Sequence, residues 1–143
     1  MKEVWKDIAG YEGYYKVSNL GRIKSVERLI TYANSKGVTR QFPVEERILT
    51  QRMDRNGYQR ASLKKDKARK LFLVHRLVAQ AFIENPNNWP LVNHKDENRC
   101  NNNVANLEWC TSKYNLNYGS ARERMSQARK RYCAKRKAEK EAV

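Results

Sequence analysis

The stretch from Leu91 to Asn117, L-V-N-H-K-D-E-N-R-C-N-N-N-V-A-N-L-E-W-C-T-S-K-Y-N-L-N, constrains this chain more than any other part of it. A short apolar strand at Leu91 and Val92 leads into a polar turn. A second short strand from Leu107 to Cys110 follows, and then a helix opening near Thr111 or Ser112. The order is strand, strand, helix. Asn93 and His94 close the first strand, Asn106 stands just before the second, and Asn115 lies about one turn into the helix. A compact hairpin and helix brings these four side chains to one polar cleft.

Upstream, Val74, Leu77, Val78, Ala81 and Phe82 recur at i, i+3, i+4, i+7 and i+8, which predicts a helix with one core-facing stripe, ended by Pro86. His75 opens that helix and rivals His94 as the functional histidine. Between Val74 and Leu77 it reads as a hydrogen-bonded packing residue, with a phosphate contact as the alternative. Nearer the N-terminus, aromatic and β-branched residues around S-N-L-G at 18–21 predict a hairpin. Thr31 to Pro43 is polar and contains glycine, and is expected to be a mobile loop. I-L-T-Q-R-M at 48–53 and Y-Q-R-A-S-L at 58–63 flank D-R-N-G, a strand, tight turn, strand signal. K-K-D-K-A-R-K at 64–70 is read as a basic turn, and L-F-L-V at 71–74 as a strand. Gly119 and Ser120 mark a helix end and a new N-cap. The following helix carries Ala121, Met125, Ala128 and Tyr132 on a narrow apolar stripe. Beyond about Cys133 a frayed, solvated tail is an equal alternative.

Charge decides the partner class. Thirty Lys and Arg against fifteen Asp and Glu give +15, which favours a polyanion, with nucleic acid as the default. Residues 120–143 carry nine Lys or Arg and three Glu, and the rest of the excess is spread over the chain before them. The three cysteines are an odd number without a C-x-x-C pair, so neither a disulfide framework nor a zinc ribbon is expected, and the thiols are read as free. No apolar run approaches the roughly 20 residues of a membrane span. M-K-E-V-W-K-D has no signal-like apolar region, so a cytoplasmic protein without membrane partners is expected.

The chain resembles the HNH nucleases of ββα-metal fold, specifically the small phage and intron homing endonucleases. N-H-K-D-E-N-R-C-N-N at 93–102, N-L-E-W-C-T at 106–111 and Asn115 carry the resemblance, with V-H-R-L-V-A-Q-A-F at 74–82 as a second block. A third block, V-W-K-D-I-A-G-Y-E-G-Y-Y-K-V-S-N-L-G-R-I-K-S at 4–25, is similar to the N-terminal module that accompanies these nucleases and is thought to help hold DNA. The resemblance implies an α+β fold in three parts: a small N-terminal antiparallel β-sheet module (1–70), a ββα-metal HNH core with its preceding helix (71–119), and a basic C-terminal helix or tail (120–143). It also implies a divalent-metal-dependent DNA endonuclease, of phage or mobile-element origin and at work in the host cytoplasm. One centre per chain favours a nick; cutting both strands needs two chains or two events, so the expected species is a monomer or homodimer on double-stranded DNA.

On this resemblance His94 is the general base, its unperturbed pKa near 6.5 suiting it to take a proton from water. Its other ring nitrogen is expected to donate to a backbone carbonyl in the turn. Asn93 and Asn115 offer neutral oxygens to one Mg²⁺ or Mn²⁺, hard cations that such donors suit better than zinc. Many relatives carry Asp at the position of Asn93, and Asn-His is also a common variant. Asn106 matches the middle asparagine, which tethers the hairpin loop. Asp96 is read as a turn residue rather than a ligand, and Glu97 stands where glycine is usual. Asn98, Asn101, Asn102 and Asn103 knit the loop, Glu108 is a surface residue, and Trp109 is core. Lys16, Arg22, Lys24, Arg28, Arg40, Arg60, Arg122, Arg129 and Arg136 are the DNA-contact candidates. For those on the N-terminal sheet, an ordinary solvated face is the alternative. Two other classes compete with the nuclease: a non-catalytic DNA-binding protein retaining the scaffold, motivated by Asn93, and an RNA-binding basic protein, which leaves the N-H…N…N spacing unexplained.

Overall fold

A computed structural model describes residues 1–142. β1 (Trp5–Asp7), β2 (Tyr15–Ser18) and β3 (Ile23–Ser25) form an antiparallel meander, extended on the β3 side by β6 (Arg47–Ile48). Between β3 and β6 an exposed hairpin projects, made of β4 (Arg28–Ala33) and β5 (Thr39–Val44). The stretch expected to be a mobile loop is therefore a ladder. Asn34 closes it by accepting from the backbone N–H groups of Lys36 and Val38 while Gly37 takes φ +76°, and Tyr32 packs edge-on against Phe42. The run 48–53 is divided. Ile48 pairs with Lys24 in the first sheet, whereas β7 (Arg52–Met53) joins β8 (Gln59–Lys65) and β9 (Ala68–Leu73) in another. The basic turn shrinks to Asp66 and Lys67, both at positive φ, because 68–70 belong to β9.

The predicted helix, α1 (Val74–Phe82), lies against both sheets with Val74, Leu77 and Val78 inward. These three join Ile8, Tyr15, Val17, Ile23, Ala61, Leu63 and Leu107 in one core. Side chains from either side of residue 70 thus share a single apolar cluster, with Val17, Ile23 and Leu63 fully inaccessible. The strand-turn-helix unit follows: β10 (Leu91–His94) pairs with β11 (Leu107–Cys110), and α2 (Ser112–Asn117) is capped by Thr111, whose hydroxyl accepts from the Tyr114 N–H. Leu107 anchors this unit in the core. Trp109, expected inside, is only half-buried, because its indole N–H reaches the Ile83 carbonyl at the end of α1 and so holds the ring at the rim.

α3 (Ala121–Glu141) is one continuous helix through the segment where fraying was an alternative, and Lys135–Glu139 and Lys137–Glu141 pair at i,i+4 along it. Its N-terminus is not capped by the Ser120 side chain. Glu97 reaches across and accepts from the Ser120 N–H (3.1 Å), the Ser120 hydroxyl and Arg124 (2.7 Å). A carboxylate at the positive end of a helix dipole fixes where α3 begins relative to the turn.

Candidate active site on the strand-turn-helix unit

The β10–β11 register sets Asn93 opposite Glu108 and His94 opposite Leu107. Leu107 points into the core, so Glu108 faces the other way, toward the side that α2 covers. There it accepts from Asn93 Nδ2 (2.8 Å) and from the Tyr114 hydroxyl (3.2 Å). Glu108 is thus no ordinary surface residue. By engaging the amide nitrogen it leaves Asn93 Oδ1 as the free end of that side chain.

Asn93, His94 and Asn115 all line one cleft of about 410 Å³ between β10, α2 and the first turns of α3. Tyr58, Glu97, Arg99 and Arg124 contribute further polar wall, and Ala121, Met125 and Ala128, the apolar stripe of α3, form the opposite side. Asn106 lies outside the cleft. Its carbonyl accepts from the Lys95 N–H, its Oδ1 from the Asp96 N–H, and its Nδ2 donates to Asp96 and to the Asn101 carbonyl. This is a tether that closes the turn on itself. Asp96 also accepts from Asn98 and Asn101, and these bonds hold its carboxyl below the usual range, that from Asn101 most strongly. Both side-chain oxygens are spent on the turn. Glu97 occupies the left-handed region at φ +59°, the conformation for which glycine is the usual choice.

His94 is 5% exposed, and its Nε2 lies 3.0 Å from Asn102 Oδ1. The expected partner was a backbone carbonyl; the side chain of Asn102 takes that place. Asn102 is itself buried and donates from Nδ2 to Gln59 Oε1 at 2.9 Å, so it does not knit the loop as Asn98, Asn101 and Asn103 do. Burial pushes the His94 pKa below its ordinary value, opposed by the Asn102 bond and Asp96 and reinforced by Arg99. His75 is buried beside it with ring centroids 5.1 Å apart; Tyr58 packs on both rings, and His75 Nδ1 has no partner. His75 is buried outside the cleft lining, and desolvation lowers its pKa to about 4; it packs as expected, but without the expected hydrogen bond at Nδ1.

No three His, Cys, Asp or Glu converge to hold a metal ion among the described residues. Glu97, the carboxylate in the cleft lining, is engaged by Ser120 and Arg124, which leaves the amides of Asn93 and Asn115 as neutral, hard donors there. They suit a cation that keeps water and substrate oxygens in its shell, and they do not suit zinc.

A DNA endonuclease of Bacillus phage SP01, I-HmuI, is 36% identical over 139 residues, which cover 97% of this chain and 70% of that protein. The solved structure describing DNA binding and cleavage by the HNH homing endonuclease I-HmuI superposes with a TM-score of 0.62 at 38% identity, over 87% of this chain and 59% of that one. The chain belongs to the HNH homing endonuclease family. Within it, residues 3–64 match the NUMOD4 motif. An uncharacterized HNH endonuclease of Acanthamoeba polyphaga mimivirus, L245, shares 49% identity over 70 residues, 49% of this chain but only 21% of that protein. The chain therefore spans widely different shares of its relatives.

The dispersed cations of this HNH protein fall into two groups. Lys16, Arg22, Lys24 and Arg60 are paired with Asp7, Glu3, Glu46 and Asp54 respectively. Arg28 donates to the Tyr14 and Val26 carbonyls and lies over the Tyr14 ring. Arg40 stands exposed on β5, and Arg122, Arg129 and Arg136 are exposed along α3. Sequence reasoning missed Arg99 and Arg124 in the cleft wall, and missed Glu108. The strand register, readable once Leu91 is paired with Cys110, would have put Glu108 beside Asn93. No sequence signal ties Gln59 to this site.

Proposed function

We propose that this chain is a divalent-metal-dependent DNA endonuclease that hydrolyses a phosphodiester bond, with His94 as the general base and one Mg²⁺ or Mn²⁺. The observation that carries it is the convergence of Asn93, His94 and Asn115 on one cleft at the end of a strand-turn-helix unit. Asn93 and Asn115 would hold the ion through their amide oxygens. When bound, it supplies Lewis-acid stabilisation of the phosphate and of the departing 3′-oxygen.

The chain's own residues do the rest. His94, kept neutral by burial, takes the proton from the attacking water. Glu108 orients Asn93, and Asn106 holds the turn that carries His94. Arg99, over the Tyr58 ring at 4.9 Å, brings positive charge to the cleft wall where a phosphate enters, whereas Arg124 is paired there with Glu97. Double-stranded DNA is the partner the excess charge suits, with Arg40 and the α3 face of Arg122, Arg129 and Arg136 extending the contact. The exposed thiols of Cys100 and Cys133 fit work in the reducing cytoplasm of a host cell; no helix among the described residues is long and apolar enough to cross a membrane.

Supercoiled plasmid with Mg²⁺ or Mn²⁺ tests this. The wild type relaxes or linearises the plasmid, and His94→Ala loses about a hundredfold or more of the rate. Plasmid bound but uncut under both metals would establish instead a DNA-binding scaffold without catalysis.

A further inference from the structure

We propose that Asn102 and Gln59 are positioning residues for His94, so that the N-terminal NUMOD4 stretch supplies part of the catalytic centre as well as any DNA contact. This deepens the nuclease reading and rests on it. The chain of contacts is short. Gln59 Oε1 on β8 accepts from Asn102 Nδ2 at 2.9 Å, and Asn102 Oδ1 faces His94 Nε2 at 3.0 Å. An amide has one donating and one accepting end. With Nδ2 committed to Gln59, only the oxygen of Asn102 is left for the imidazole. His94 must then carry its proton on Nε2, and Nδ1 is the lone-pair nitrogen left for the cleft.

The geometry around Asn102 leaves it little freedom. It is 3% exposed, and a methyl group on Gly21 would come within 2.8 Å of its Cβ and 3.0 Å of its carbonyl oxygen. Gly21 lies in the β2–β3 turn at φ +86° and its carbonyl accepts from Gln51 Nε2 (2.7 Å), while the Asn19 carbonyl in the same turn accepts from the Val104 N–H (2.8 Å). Both Gly21 and Gln59 fall within residues 3–64, the NUMOD4 match. The turn packs Asn102 in place, and Gln59 decides which way its amide points. Neither residue touches the cleft, so their effect on catalysis runs through the imidazole alone.

The test is the histidine tautomer, read by long-range ¹H–¹⁵N correlation on full-length protein labelled at histidine, at a pH where the rings are neutral. The chain has two histidines, and the His94 signals are those that vanish in His94→Ala. Wild type is expected to show His94 as the Nε2–H form. Gln59→Leu frees the Asn102 amide to turn and should populate the Nδ1–H form. It should also lower kcat by about ten- to a hundredfold, with KM and metal-free DNA affinity unchanged. Gln59→Glu, which still accepts from Asn102, should restore both tautomer and rate. An Nδ1–H ring in the wild type overturns the proposal, as does a Gln59→Leu protein whose tautomer is unchanged, whatever its rate. The spectroscopic result does not depend on cleavage; a failure of the nuclease reading shows separately, as undiminished cutting by His94→Ala.

Discussion

Asn93 donates from Nδ2 to Glu108 Oε1 at 2.8 Å, directly across the β10–β11 register, and this bond decides which atom of Asn93 meets the cleft. A carboxylate standing behind a neutral ligand both fixes its rotation and strengthens its oxygen as a donor. Glu108→Ala is therefore expected to raise the Mg²⁺ concentration needed for half-maximal cleavage by about ten- to a hundredfold. Glu108→Gln, which keeps an accepting oxygen, should fall between it and the wild type. Metal titrations of plasmid cleavage measure this, and an unchanged requirement in Glu108→Ala would remove Asn93 from the ligand set.

Cleavage should depend on pH in one direction at the acid end. As the proposed general base, His94 would act when neutral, and burial lowers its pKa, so the neutral form persists below the ordinary histidine range. The rate should stay level as pH falls from 8 through about 6.5 and then drop about tenfold per unit below a midpoint under that value. A single-turnover rate profile with saturating metal checks this; a midpoint above 7 contradicts the burial of the ring.

Stability should carry a second acid dependence, from His75. Its folded pKa is depressed from 6.5 to about 4, chiefly by burial, with positive charge on His94 and Arg76 adding to the shift and Asp54 opposing it. The unfolded chain binds the proton first. Stability is then fully present above about 6.5 and is lost as pH falls toward about 4, by about 3 kcal/mol in all. His94, shifted in the same direction, adds to the loss. Urea unfolding at pH 7.5 and 4.5 should show a smaller difference in His75→Gln than in the wild type.

The turn at Gly21 offers a test of close packing against backbone strain. Gly21→Ala and Gly37→Ala both place a side chain at positive φ, costing about 1–2 kcal/mol, yet only the first meets Asn102 while the second meets nothing within 4 Å. Gly21→Ala should lower both Tm and cleavage, and Gly37→Ala should leave cleavage unchanged. Equal activities in the two variants would show that the β2–β3 turn does not bear on the centre.

Three arginines on α3 test the DNA contact. Arg122, Arg129 and Arg136 are spaced by seven and share a face of the helix. Replacing all three with Gln should flatten the plot of log affinity against log salt by about 0.9 for each phosphate that is no longer neutralised. Lys16→Gln, which frees Asp7 from an ion pair, should change the slope less.

Local patterns were legible in the sequence, and long-range ones were not. The strand pair around the N-H turn and the helix of Val74, Leu77 and Val78 announce themselves by period and spacing. Asn106 tethers its turn through neighbours within about ten positions. The 31–43 segment was obscured because its exposed faces are polar and its ladder packs on little else. Ser120 looks like an N-cap, but the cap comes from Glu97, distant in sequence, and Gln59 reaches Asn102 across a wider gap still. Such pairings arise from the fold of the whole core, and no local periodicity encodes them.

On the proposed reading, Asn115 holds a metal ion needed for chemistry and not for binding. The direct measurement pairs two assays on Asn115→Ala: single-turnover cleavage in Mg²⁺ or Mn²⁺, and duplex affinity in EDTA. Cleavage should be lost with affinity within about twofold of the wild type, since dispersed cations carry the binding. Cleavage at the wild-type rate, or an equal collapse of both quantities, would show that Asn115 is not a metal ligand needed for chemistry alone.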